Sequence, residues 1–160
     1  MKNVSGLIFF LAGILIFSSC TTKYAEVWLD DLKIKTYSDG IPSVAAKTTA
    51  SGDTMKIAGN LFFRGVGVQT ISALSFQLNG EAKKFTAEVG VDDSGNPEIP
   101  VQFYVIADRK ILFESGEMRV GDAPKKVDVN LKGVRRLGLL VTDNAEKRTE
   151  LIVIGQMQKF

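Results

Sequence analysis

Residues 84–92 alternate strictly, with Phe85, Ala87, Val89 and Val91 on one side and Lys84, Thr86, Glu88 and Asp92 on the other. Successive side chains of a strand point to opposite faces, so a period of two predicts a strand with one face against a core. The period returns where Val101, Phe103, Val105 and Ala107 alternate with Gln102, Tyr104 and Ile106, and again where Val127, Val129 and Leu131 share a side. Leu137, Leu139 and Val141 repeat it, and the apolar run 151–154 predicts a buried closing strand. No amphipathic segment at helical spacing exceeds a turn or two. Asn79 and Gly80, residues 94–97, residues 121–124, and Lys132 and Gly133 separate these runs with turn-forming chemistry. An all-β chain, an antiparallel β-sandwich or barrel, is therefore expected. Residues 107–111 read as a tight hairpin, yet Asp108 is followed by Arg109 and not by glycine. A primed turn would force Arg109 to positive φ at about 1 kcal/mol, which leaves a longer loop or another turn type open.

Ahead of the strands, Lys2 precedes an apolar run over residues 7–17, and small residues then lead to Cys20. That is the layout of a bacterial secretion signal, and the run is short for a permanent span. Cys20 is the single cysteine, so it forms no internal disulfide. Residues 17–20 resemble a lipobox, where signal peptidase cuts before a lipid-modified cysteine. An ordinary cleaved signal with a stray thiol is the other reading. The expected organisation is a signal peptide over 1–19, a lipid-anchored linker over 20–25 and one domain over 26–160. Membrane attachment would come from the lipid anchor alone, at the outer membrane or cell surface of the bacterial envelope.

Lys and Arg number 20 against 18 Asp and Glu, interspersed, so no basic stripe argues for nucleic acid. Histidine is absent, which removes the commonest general base and the commonest zinc ligand. With no nucleophile motif and no positioned acid pair, the chain does not read as an enzyme. No cofactor is expected beyond an oxygen-liganded ion such as calcium, for which Asp92 and Asp93 are the candidates. Their other reading is a turn, because Asp-Ser-Gly-Asn-Pro over 93–97 is what turns are made of. As neighbours on a strand, the two carboxylates are expected on opposite faces and not converging. Trp28 reads as packing more than as a platform. Lys125, Lys126, Arg135 and Arg136 could meet an anionic glycan or form a solvated face.

Residues 83–143 resemble the NPCBM family of carbohydrate-binding modules, with residues 85–93, 121–128 and 139–143 carrying most of the likeness. Upstream, Trp-Leu-Asp-Asp-Leu over 28–32 matches the family's opening strand, and residues 59–69 match its Gly-Leu-Gly-x-His segment, with Gly65 and Gly67 as the glycine pair. The resemblance implies a jelly-roll, galactose-binding-domain-like sandwich of the kind joined to bacterial glycoside hydrolases, and a galactose-type sugar as ligand. Gln69 stands in the histidine position and could hydrogen-bond a hydroxyl pair, with Arg64 beside it and the loop from Asn144 to Arg148 on the same concave surface. A sugar's C–H face also needs an exposed aromatic, for which Tyr37 and Tyr104 are the candidates. Lys47 replaces a common acidic residue, and the family's ending with histidine and tryptophan is missing. A second expectation follows, a module without sugar binding that serves as a structural or protein-interaction lipoprotein. The partner would be a glycan or an envelope protein.

Overall fold

The computed structural model describes residues 25–32, 35–36, 44–69, 72–143 and 150–159, with side chains of 35–36 and 150–159 left aside. Cys20, Tyr37, Asn144 and Arg148 lie outside these residues. The alternating runs form β8 (Ala82–Val91), β9 (Val101–Ala107), β11 (Lys125–Asn130) and β12 (Arg136–Asp143). The apolar closing run lies in β13 (Glu150–Lys159), and β10 (Lys110–Glu114) follows β9. Upstream lie β1 (Ala25–Trp28), β2 (Lys35–Thr36), β3 (Ala45–Ala46), β4 (Met55–Ile57), β5 (Asn60–Phe62), β6 (Val66–Gln69) and β7 (Ser72–Gln77). The strand expected over residues 28–32 stops at Trp28, and Leu29–Asp31 turns once as a 3-10 helix.

Every strand pair is antiparallel. One sheet runs β11-β8-β13-β6-β3 with β1 also on β13, the other runs β10-β9-β12-β7-β2, and β4 pairs with β5 alone. The closing strand is central: β8 lines one edge of β13, while β6 and β1 share the other, at residues 150–153 and at Trp28 to Ala25 respectively. The inward sets predicted from the period meet between the two sheets. Phe85, Val89 and Val91 of β8 pack with Val101, Phe103 and Val105 of β9, Val127 and Val129 of β11, and Leu137, Leu139 and Val141 of β12 in one continuous core. Burial of side chains of this size stabilises by about 1.5–3 kcal/mol each. The chain is thus an all-β antiparallel sandwich.

Two features depart from simple alternation. The hairpin β4–β5 lies over the outer face of β8, where Ile57 and Met55 form a second small core with Ala58 and Phe62. A Cβ on Gly90 would sit 2.7 Å from Ile57 Cγ2, so glycine there lets the hairpin close onto the strand. The β9–β10 connection is the two-residue primed turn after all: Ala107 pairs with Lys110, and Asp108 and Arg109 have φ of 43° and 76°. Its strain is offset by Asp108, whose two carboxylate oxygens accept the backbone N–H groups of Arg135 and Arg136 at 2.9 Å.

Candidate ligand-binding surfaces

Asp92 and Asp93 follow the last residue of β8 and both reach the β4–β5 hairpin. Lys56 N–H donates to Asp92 Oδ2 at 2.8 Å, and Ser94 N–H and its hydroxyl donate to Oδ1. Ala58 and Gly59 N–H groups donate to the two oxygens of Asp93 at 2.8 and 2.9 Å, and Lys56 Nζ stands 3.6 Å from Oδ2. The expectation of opposite faces fails because Asp93 lies in a turn, beyond the reach of strand alternation. Asp92, expected on the solvent side, is 2% exposed because the hairpin covers it. All four oxygens accept N–H or O–H donors of the chain itself, which gives each carboxylate a structural partner in the hairpin and its turn. The pair therefore fastens the hairpin. Among the described residues, no group of three or more His, Cys, Asp or Glu could hold a metal ion.

Arg64, just ahead of β6, is also engaged. Its Nε and Nη2 donate to the two oxygens of Asp30 at 2.8 and 3.2 Å, and Nη2 donates to Asp31 at 2.5 Å. The guanidinium lies 4.9 Å above the Trp28 ring, and Lys47 Nζ is 3.6 Å from Asp31. The Arg64 hydrogen bond holds the Asp31 carboxyl below its ordinary 3.8, and the bonds that Arg64 donates to Asp30 and Asp31 raise its own value. The fork-to-fork pair with Asp30, whose side chain is fully buried, ties the opening strand to β6 where the two meet on β13. Trp28 is accordingly a packing residue beneath an arginine, and also borders a shallow hollow of about 350 Å³ with Thr86, Glu88, Lys126 and Asp128.

Gln69 is the last residue of β6, about 10 Å at 3.3 Å per residue beyond Val66, while Arg64 precedes the strand's other end. Its carbonyl accepts the Ser72 hydroxyl. The structure thus does not bring Arg64 and Gln69 together. The glycines between them do as their spacing suggests: a Cβ on Gly67 would stand 2.4 Å from the Thr48 carbonyl oxygen. Tyr104 is half-buried on the outer face of β9, donating to Gln102 Oε1 at 2.5 Å. Burial first, then the Glu114 carboxylate, raises its hydroxyl above the ordinary 10.0.

The basic residues divide between the sheets. Lys125 and Lys126 belong to β11, and Lys125 Nζ donates to the Ser115 carbonyl at 2.5 Å. Arg136 opens β12, Arg135 precedes it, and with Arg109 they border a trough of about 700 Å³ on the outer face of the five-stranded sheet. Ala73, Ile106, Gly138 and Leu140 contribute to its lining. The sequence singled out Arg135 and Arg136 as cations that could meet an anionic glycan, but not the trough itself, which Ile106 and Leu140, apolar at outward positions of alternating strands, signalled. Hydrogen bonds from the Arg135 and Arg136 backbones hold the Asp108 carboxyl in the trough below its ordinary 3.8.

A sandwich of two antiparallel sheets with loop and face clefts is the architecture of many sugar-binding modules. The chain belongs to the NPCBM/NEW2 domain family, whose profile matches residues 25–153. A CBM51 module from Clostridium perfringens GH95, solved with methyl-galactose, superposes with a TM-score of 0.73 at 24% identity, covering 83% of this chain and 99% of that one. A Clostridium perfringens ZmpB structure containing an M60 catalytic domain with CBM51-1 and CBM51-2 matches at TM-score 0.73 and 26% identity, covering 84% of this chain and 15% of that one. Alpha-1,3-galactosidase B of Akkermansia muciniphila is 28% identical over 90 residues, which span 54% of this chain and 11% of that protein. The chain spans about a tenth or less of the curated relatives it matches. It is a carbohydrate-binding-module fold.

Proposed function

We propose that the chain is a non-catalytic glycan-binding domain of a bacterial envelope lipoprotein, held through Cys20 and taking galactose-type sugars. The family match over residues 25–153 carries this reading. It is supported by the methyl-galactose complex of a similarly folded module and by the galactosidase name of a partial relative. The absence of histidine from the sequence favours binding over acid–base chemistry. Secretion and lipidation rest on the layout of residues 1–20. A second reading, a module serving an envelope protein partner without sugar, is favoured by one observation: Arg64 is already committed to Asp30, Asp31 and Trp28. A glycan array followed by calorimetry with methyl-galactose and N-acetylgalactosamine, with and without calcium, separates the two. Saturable binding of a galactoside supports the first reading, and silence across a broad panel leaves the second. Mass spectrometry of the mature protein should find acylated Cys20.

A further inference from the structure

The trough on the five-stranded sheet lies apart from Arg64 and Gln69, and neither residue lines it. Ile106, Gly138 and Leu140 give it an apolar floor, and Tyr104 continues the row as the cross-strand neighbour of Leu140. The outward face of an antiparallel sheet ordinarily turns polar side chains to water, so an apolar floor there calls for an occupant. One end is basic: Arg109, Arg135 and Arg136 face a single carboxylate, that of Asp108. Its oxygens are taken by backbone N–H groups. Among the described residues none of the three guanidinium groups forms an ion pair.

We propose that this trough binds an acidic oligosaccharide. Sugar rings lie with their C–H faces on Ile106, Gly138 and Leu140, and the carboxylate of a uronic acid meets the guanidinium forks of Arg109 and Arg136. A planar carboxylate matches a guanidinium with two parallel hydrogen bonds, whereas a neutral sugar leaves the arginines to water. The volume of about 700 Å³ is in the range of ligand clefts and exceeds what one sugar ring fills. This inference rests on the carbohydrate-binding reading above and adds a place and a charge class to it.

The test is calorimetric titration of the full chain in detergent micelles with trigalacturonate and with neutral galactotriose. Trigalacturonate should bind, and more weakly as salt rises from about 0.05 to 0.5 M. Arg136→Ala and Arg109→Gly should each weaken it about tenfold or more, since charge-assisted bonds are lost. Gly138→Val should weaken binding about tenfold or more by raising bulk from the floor; a Cβ there meets its nearest atoms at an ordinary 3.7 Å, and circular dichroism checks that the sheet is kept. Unchanged affinity in these three variants overturns the proposal. So does tighter binding of a sulfated galactose trimer than of trigalacturonate, which removes the carboxylate assignment. Binding of galactotriose alone overturns it while the carbohydrate-binding reading stands, and silence toward every glycan removes both.

Discussion

Replacing Gly67 with alanine would drive a methyl group to 2.4 Å from the Thr48 carbonyl, a contact only backbone movement can relieve. Such overpacking costs about 1–3 kcal/mol, so Gly67→Ala should lower the urea midpoint without changing the slope. Asp92→Ala leaves the N–H groups of Lys56 and Ser94 without their acceptor in a covered site, at about 1–3 kcal/mol by the same measurement. Arg109→Gly acts in the opposite direction. It removes a side chain from a left-handed position, and a gain of up to about 1 kcal/mol is expected, seen as a raised thermal midpoint. A variant that is more stable yet binds trigalacturonate less well would separate the side chain's part in binding from its cost in the turn.

Among the elements, the β4–β5 hairpin is held by few contacts outside its own pairing: the seat of Ile57 on Gly90, the four carboxylate oxygens, and the Asp93 N–H donated to the Lys56 carbonyl. Asp93→Ala should therefore speed amide exchange at residues 55–62 while β9 and β12 keep their protection. Exchange that accelerates uniformly would mean the hairpin opens only with the whole domain. The long strands were legible in the sequence because one buried face imposes alternation on every second residue, as Phe85 to Val91 and Leu137 to Val141 demonstrate. The hairpin was not, because its strands are three residues each and its attachment is a tertiary contact. Gly90 inside a strand was the one local sign of it. Asp92 and Asp93 were visible as a pair, but the partners that decide their role are over 30 residues away. Arg64 was likewise visible as a cation. Its commitment to Asp30 needed the convergence of β1 and β6 on one edge.

For the molecule as a whole, Asp31 and Asp108 have folded-state values below their ordinary 3.8, the first chiefly through Arg64 and the second chiefly through the Arg135 backbone. A carboxyl depressed in the folded state contributes its full stability above its unfolded value and loses it as pH falls through the folded value. Their contribution should thus be constant from neutrality to about pH 5 and decline below it, more shallowly in Asp31→Asn and Asp108→Asn. Urea denaturation at stepped pH checks this, and a mutation-sensitive decline between pH 7 and 5 would contradict it. The pairing of Ala25 with Lys159, at the outer end of β1 on the closing strand, carries a mechanical consequence. Antiparallel hydrogen bonds lie across the strand axis, so a pull transmitted along the chain into Ala25 loads the four pairs between β1 and β13 side by side. Such a load would work against a seam that resists in shear, and rupture would need the bonds of all four pairs to yield together.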